Sequence, residues 1–154
     1  MQQLTMRKTS FIAFLSVLTL FSLLTGCGKK KVAPVSERIA KVWTARIVDQ
    51  NSATVYTRGA AANVFNYATF KLDLSAPPAV RYTEFDNTTF VGQYSVPTEN
   101  RLVLTNLTPL PTGVTNGTIE FTIDSITDTE LKLTRTTASV KTGNTTNKYT
   151  LSNP

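Results

Sequence analysis

The sequence predicts an all-β fold: an antiparallel up-and-down barrel of eight or nine strands, preceded by one short helix. Three observations carry this. Apolar and polar residues alternate with a period of two in five segments, as in strands with one buried and one solvated face. Threonine, whose branched side chain suits a pleated backbone, supplies 23 of the 128 residues after position 26. Turn-forming clusters separate the alternating segments at regular spacing, the pattern of a sandwich or barrel.

An export segment comes first. Arg7 and Lys8 precede a 14-residue apolar run, Phe11 to Leu24. A charged start, an apolar middle and small residues before a cut make up a secretory signal. The run falls short of the roughly 18–20 residues a membrane span needs, and Ser16, Thr19 and Ser22 interrupt it. Leu24-Thr25-Gly26-Cys27 then holds the only cysteine of the chain. This stretch resembles a bacterial lipobox, whose thiol is diacylated and becomes the new N-terminus. The resemblance implies that residues 1–26 are removed and that Cys27 carries a lipid anchor in the cell envelope. Gly28, where enterobacterial sorting would use aspartate to retain a lipoprotein, points to the outer membrane. One acyl chain alone binds only marginally, so the two or three chains of a mature lipoprotein make the anchor firm.

Residues 27–35 read as a tether, since Gly28, Lys29, Lys30, Lys31 and Pro34 offer little to pack. From Gly28 to Val35 it reaches about 26 Å when extended. The domain follows at 36–154. Ser36–Lys41 is the one helical candidate, with Ser36 as N-cap and Glu37 near the positive end of the short dipole.

The strands follow in order. Val42–Val48 and Thr54–Arg58 alternate weakly. Phe70, Leu72 and Leu74 alternate with Lys71 and Asp73, and Val80 and Tyr82 with Arg81 and Thr83. Phe90, Gly92, Tyr94 and Val96 form one face of the next. Leu102–Leu107 is weaker. Ile119, Phe121 and Ile123 are followed by Leu131 and Leu133, and Lys148–Leu151 closes the series. Such a meander must hide its apolar face and protect its edges, and closure into a barrel does both. The interior lining is then Phe70, Leu72, Tyr82, Phe90, Tyr94, Phe121, Ile123 and Leu133. Trp43 on the first strand is a structural plug for one end. Gly92 marks either a tight approach of two strands or the border of a ligand cavity.

Charge narrows the partners. The net charge of +6 falls to +4 without Arg7 and Lys8, and to +1 for the domain without Lys29, Lys30 and Lys31. A nucleic-acid partner is not expected. The lysine triplet lies in the tether, where it is read first as solvated beside the lipid surface and second as attracted to anionic headgroups, by about 1 kcal/mol per residue.

No catalytic set is visible. The chain has no histidine, the usual base of a triad and a common metal ligand. Its ten carboxylates fall mostly on polar faces or turns. Asp124, Asp128 and Glu130 lack the pattern of a calcium loop, and Glu84 with Asp86 reads as a strand end beside a turn. No enzyme activity, metal or cofactor is expected.

The order of motifs is itself informative. Ile39-Ala40-Lys41-Val42-Trp43 is followed by Phe70-Lys71-Leu72-Asp73-Leu74, Val80-Arg81-Tyr82-Thr83 and Gly92-Gln93-Tyr94-Ser95-Val96. Arg101-Leu102-Val103-Leu104-Thr105, Phe121-Thr122-Ile123-Asp124-Ser125-Ile126 and Glu130-Leu131-Lys132-Leu133 complete the series. This resembles the lipocalin-like domains of small Bacteroidetes lipoproteins over roughly Ser36–Leu151. Lys41 stands where lipocalins carry glycine before the tryptophan, and Thr108–Thr118 is an extra loop. The resemblance implies a lipocalin-like barrel. By analogy with binding barrels it also implies a small apolar ligand inside. The alternative is an envelope scaffold with a filled barrel and loops that meet a protein partner. Eight-stranded barrels occur in both forms. Asp124-Ser125-Ile126 resembles an O-glycosylation motif of exported Bacteroidetes proteins, which makes Ser125 a candidate for modification.

Overall fold

The computed structural model describes residues 32–154. The expected signal segment, Cys27 and all of the expected tether before Val32 lie outside the described residues. Residues Ala33–Pro154 form one compact unit.

The short helix α1 spans Val35–Arg38. It starts one residue earlier than the sequence suggests, and Pro34 rather than Ser36 occupies the N-cap. The Pro34 carbonyl accepts from the Glu37 and Arg38 amides at 3.0 and 3.1 Å. Packing gives the reason. Val35 and Ile39 lie one helical turn apart and both are buried. Val35 is therefore core, not tether.

Nine strands follow: β1 (Val42–Gln50), β2 (Ala53–Thr57), β3 (Lys71–Ala76), β4 (Ala79–Thr83), β5 (Thr89–Thr98), β6 (Arg101–Thr108), β7 (Ile119–Ile126), β8 (Glu130–Arg135) and β9 (Asn147–Ser152). β3 to β9 pair antiparallel in chain order, and β1 joins β3 on one side and β9 on the other. Eight strands thus close a barrel. β2 is the extra strand: the start of β1 pairs with β3 and its end pairs with β2. Asn51 and Ser52, both at positive φ, make the β1–β2 turn. That backbone sign matches the twist a two-residue hairpin requires.

Several bulges interrupt the ladders, and two of them bear on the residues discussed below. Against β9, the register of β1 shifts between Ala45 and Ile47, so Arg46 is the extra residue. Trp43 and Ala45 point inward before it, Val48 and Gln50 after it. A bulge adds one residue and changes parity, which explains the weak alternation of this strand in the sequence. The second bulge lies in β6 opposite Gly92, with Asn106 at φ +54°.

The two barrel ends differ. α1 and the β3–β4, β5–β6 and β7–β8 turns lie at one end. At the other end lie the β4–β5 turn, the long β6–β7 loop and a strap between β8 and β9. This end is called the mouth below. The strap contains a one-turn 3-10 helix, Val140–Thr142.

Candidate functional site at the barrel mouth

The eight expected lining residues all face the interior, and each is at most 7% exposed. Their neighbours are one another. The Phe70 and Tyr149 rings stack with centroids 4.9 Å apart. Phe70 meets Tyr82 edge-on at 5.6 Å, Tyr82 stacks on Phe90 at 5.9 Å, and Phe121 reaches Tyr149 at 6.1 Å. Tyr82 on β4 also meets Phe121 on β7 edge-on at 6.4 Å, so rings from strands that are not neighbours pack on one another inside the barrel, at separations typical of packed aromatic pairs. A hollow barrel would leave these side chains accessible from within.

Trp43 is fully buried near the helix end. Its indole Nε1 donates to the Ile39 carbonyl at 2.9 Å, and the Lys41 ammonium lies 6.0 Å from its ring centre. The lysine in the position of the lipocalin glycine thus covers the tryptophan. Lys41 also donates to the Asp128 carbonyl at 2.7 Å, and Arg38 to that of Ile126. These contacts tie α1 to the β7–β8 turn.

Gly92 faces the neighbouring strand. A Cβ there would sit 2.5 Å from the Thr105 carbonyl oxygen and 3.1 Å from that of Asn106. The β6 bulge pushes its backbone into the space a side chain would need. The cavity-border reading of Gly92 gives way to the close-approach one. Gly92→Ala is expected to destabilise the fold by about 1–3 kcal/mol, the usual cost of overpacking. A urea midpoint equal to wild type would show instead that the bulge yields freely.

The mouth is lined by polar side chains. Each is the next inward residue beyond an apolar one: Gln50 after Val48, Glu84 after Tyr82, Arg135 after Leu133, and Asn147 before Tyr149. All four are buried. Gln50 donates to the Tyr67 hydroxyl at 3.1 Å and Asn147 to the Tyr149 hydroxyl at 3.2 Å. Burial raises the pKa of Tyr67, Tyr82 and Tyr149, and neighbouring phenols add to the effect on the first two. All three are neutral hydroxyls at physiological pH.

Glu84 is the hinge of the charged part. One of its oxygens lies 3.9 Å from Arg135 Nη1 and the other 2.7 Å from Lys141 Nζ. The second oxygen is thus held by the Lys141 ammonium, whereas Arg135 Nε has no hydrogen-bond partner among the described residues. Lys141 also meets Asp86 Oδ2 at 2.8 Å and Thr88 Oγ1 at 3.3 Å, and lies 5.4 Å from the Phe90 ring centre. Burial is the largest single influence and would lower the Lys141 pKa and raise that of Asp86; the contacts of Lys141 with Asp86 and Glu84, and of Asp86 with Lys141 and Thr88, together outweigh it and shift each group the other way.

The sequence reading did not find this collar. Glu84 does lie at the end of β4 beside a turn, as its sequence position suggests, but the structure also buries it among tyrosines. The signal was present: the inward parity of β4, β8 and β9 extends by one position into Glu84, Arg135 and Asn147. Tyr67 was missed altogether. It comes from the 58–70 connection, is fully buried, and packs its ring on Tyr56, Phe70, Phe85 and Tyr149. The recess that Tyr67, Phe70, Tyr82, Glu84, Phe85, Ser139, Asn147 and Tyr149 line has no room for a water molecule.

Other expected sites lie apart. Ser125 is exposed on β7, beside a register shift against β8. In the loop 108–118, Leu110 is 60% exposed. That loop reaches the strap, because a Cβ on Gly113 would collide with Val140 at 2.3 Å.

No family model matches the sequence, and no curated protein matches it. Two solved structures are similar. One is a lipocalin-like protein from Bacteroides uniformis ATCC 8492, at 16% identity and a TM-score of 0.48, covering 76% of this chain and 99% of that one. The other is an uncharacterized protein from Bacteroides eggerthii DSM 20697, at 12% identity and a TM-score of 0.45, covering 74% and 98%. The topology itself defines the fold here. Eight antiparallel strands in chain order, closed by β1 on β9 behind a short helix, form a lipocalin-like barrel.

Proposed function

We propose that this protein is a lipid-anchored scaffold of the cell envelope, with a filled lipocalin-like barrel that presents its mouth loops to another envelope component. One observation carries the choice of scaffold over carrier: inward aromatic side chains of strands that are not neighbours pack on one another. An apolar ligand would need a pocket of roughly 300 Å³ or more, and these rings occupy the middle of the barrel.

The anchor rests on the lipobox at Cys27, with residues 1–26 removed, and Gly28 favours the outer membrane. The mouth is the barrel end opposite α1. Leu110 in the 108–118 loop and Val140 in the strap are exposed apolar side chains at that end. Neutral tyrosines and mutually paired charges give the mouth no free nucleophile or base, which supports a non-catalytic role. Glycosylation of Ser125 belongs to the same proposal and rests on its exposure and the Asp124-Ser125-Ile126 motif.

The test is native mass spectrometry of protein extracted from its own membrane. The expected mass is that of the chain from Cys27 with two or three acyl groups and no non-covalent apolar ligand. A stoichiometric apolar molecule released on unfolding would overturn the scaffold reading. An unmodified Cys27 in the membrane-bound protein would overturn the anchor.

A further inference from the structure

Asn116-Gly117 is the only asparagine–glycine pair in the chain. It lies near the end of the 108–118 loop, just before β7. Asn116 is exposed and Gly117 is buried. The Asn116 side chain turns forward along the chain, and its Oδ1 accepts from the Thr118 amide at 3.2 Å. Such a turn swings the side-chain carbonyl over the peptide that follows, here the Gly117 amide. The Thr118 N–H also withdraws electron density from that carbonyl, which makes its carbon more electrophilic. The Gly117 carbonyl is held, accepting from the Leu107 amide at 3.0 Å, but the Gly117 amide donates to no backbone carbonyl among the described residues. No ladder hydrogen bond has to break before that nitrogen attacks, and no Cβ on Gly117 crowds it.

The chain contains its own comparisons. Asn66 makes the same turn, with Oδ1 accepting from the Ala68 amide at 3.0 Å. The residue after it is Tyr67, buried among aromatic rings, so a Cβ and a packed ring flank the amide there. Asn63 is bound at both ends to the Thr57 backbone, and the amide that follows it, on Val64, donates to the Val55 carbonyl at 3.0 Å. Of these three, Asn116 combines a forward side chain with a free and uncrowded amide.

We propose that Asn116 is a site of self-modification, where the chain converts its own asparagine to aspartyl and isoaspartyl residues without an enzyme. The Gly117 nitrogen attacks the Asn116 side-chain carbonyl carbon. A new N–C bond forms, the bond from that carbon to Nδ2 breaks, and Nδ2 leaves as ammonia with the proton of the Gly117 amide. The cyclic imide then takes up water. Opening at one carbonyl gives aspartate; opening at the other gives isoaspartate, whose main chain is longer by a methylene.

The consequences are local and large for a loop. The 108–118 segment carries no charged residue, so either product gives it its first charge, a carboxylate ionised at neutral pH. A Cβ on Gly117 would sit 3.2 Å from both the nitrogen and the oxygen of Leu107. With so little space, an extra main-chain methylene beside Gly117 has to displace the loop from β6. The modification does not depend on the scaffold reading; if the mouth loops meet a partner, the mark falls on that surface.

The test is peptide mapping of the full chain kept folded in mildly alkaline buffer, beside the same chain unfolded in urea. Asn116 should gain about 1 Da, the difference between an amide and an acid, and both the imide and isoaspartate should be found at 116. Asn66 should stay unconverted over the time in which half of Asn116 reacts. The folded rate at Asn116 should lie within about tenfold of the unfolded rate, because the loop need not open first. Stronger protection by the fold would overturn the proposal. So would conversion at Asn66 as fast as at Asn116, or a product at 116 formed with neither imide nor isoaspartate, since direct hydrolysis of the side chain gives aspartate alone. Asn116→Gln, whose longer side chain closes the ring poorly, should show no gain at 116 in the same time; an equal gain there would mean general hydrolysis and overturn the proposal as well.

Discussion

Glu84→Ala should lower the stability of the barrel by about 3–5 kcal/mol, the usual cost of leaving a buried charge without its partner. Among the described residues, Glu84 is the only carboxylate within ion-pair distance of Arg135, whose side chain is 4% exposed. The truncation would leave a guanidinium inside a ring of tyrosines, with Nε already lacking a hydrogen bond. Arg135→Met should cost much less. There the buried cation goes, and Glu84 keeps Lys141 at 2.7 Å. The asymmetry is the diagnostic feature, because an exposed pair typically contributes only about 0–1 kcal/mol whichever partner is cut. Urea midpoints of the two variants measure it. Equal and small shifts would mean that the mouth is wet and Arg135 is solvated.

Trp43→Ala should cost about 3–5 kcal/mol, as large aromatic truncations in a core do. Total stability of a domain is about 5–15 kcal/mol, so the variant should melt far lower or fail to fold. Trp43 has no exposed surface, and its indole satisfies the Ile39 carbonyl at the helix end. Trp43→Phe separates the two contributions. It keeps most of the apolar contact and loses one hydrogen bond, worth about 0.5–1.5 kcal/mol net. A Trp43→Ala protein with the wild-type melting temperature would show that α1 and its carbonyl detach from the barrel without consequence.

The strands were legible because pleating is local. Around β3, β4, β7 and β8 the inward residues Phe70, Leu72 and Leu74, Val80 and Tyr82, Ile119, Phe121 and Ile123, and Leu131 and Leu133 announce their face by alternation alone. β1 was faint because the bulge at Arg46 changes its parity midway. The helix start was misplaced because Ser36 has the better capping side chain, while burial of Val35 decides where the turn begins. Gly92 was visible as a gap in an apolar face, but what fills that gap is the backbone of another strand.

The mouth was illegible for a different reason. Apolar periodicity ends where polar residues begin, even when the inward parity continues through Glu84 and Arg135. Tyr67 lies in a connection with no periodicity at all. By itself the sequence determined the class of fold, the order of strands and which residues turn inward, because each follows from the period of a few neighbouring residues. Only the tertiary structure decided that the inward rings pack on one another, that Gly92 yields to β6, and that Glu84, Arg135 and Lys141 converge. Those outcomes depend on how much space remains when β1 closes on β9 and on which distant side chains then share it. Packing of that kind is a property of all the strands together.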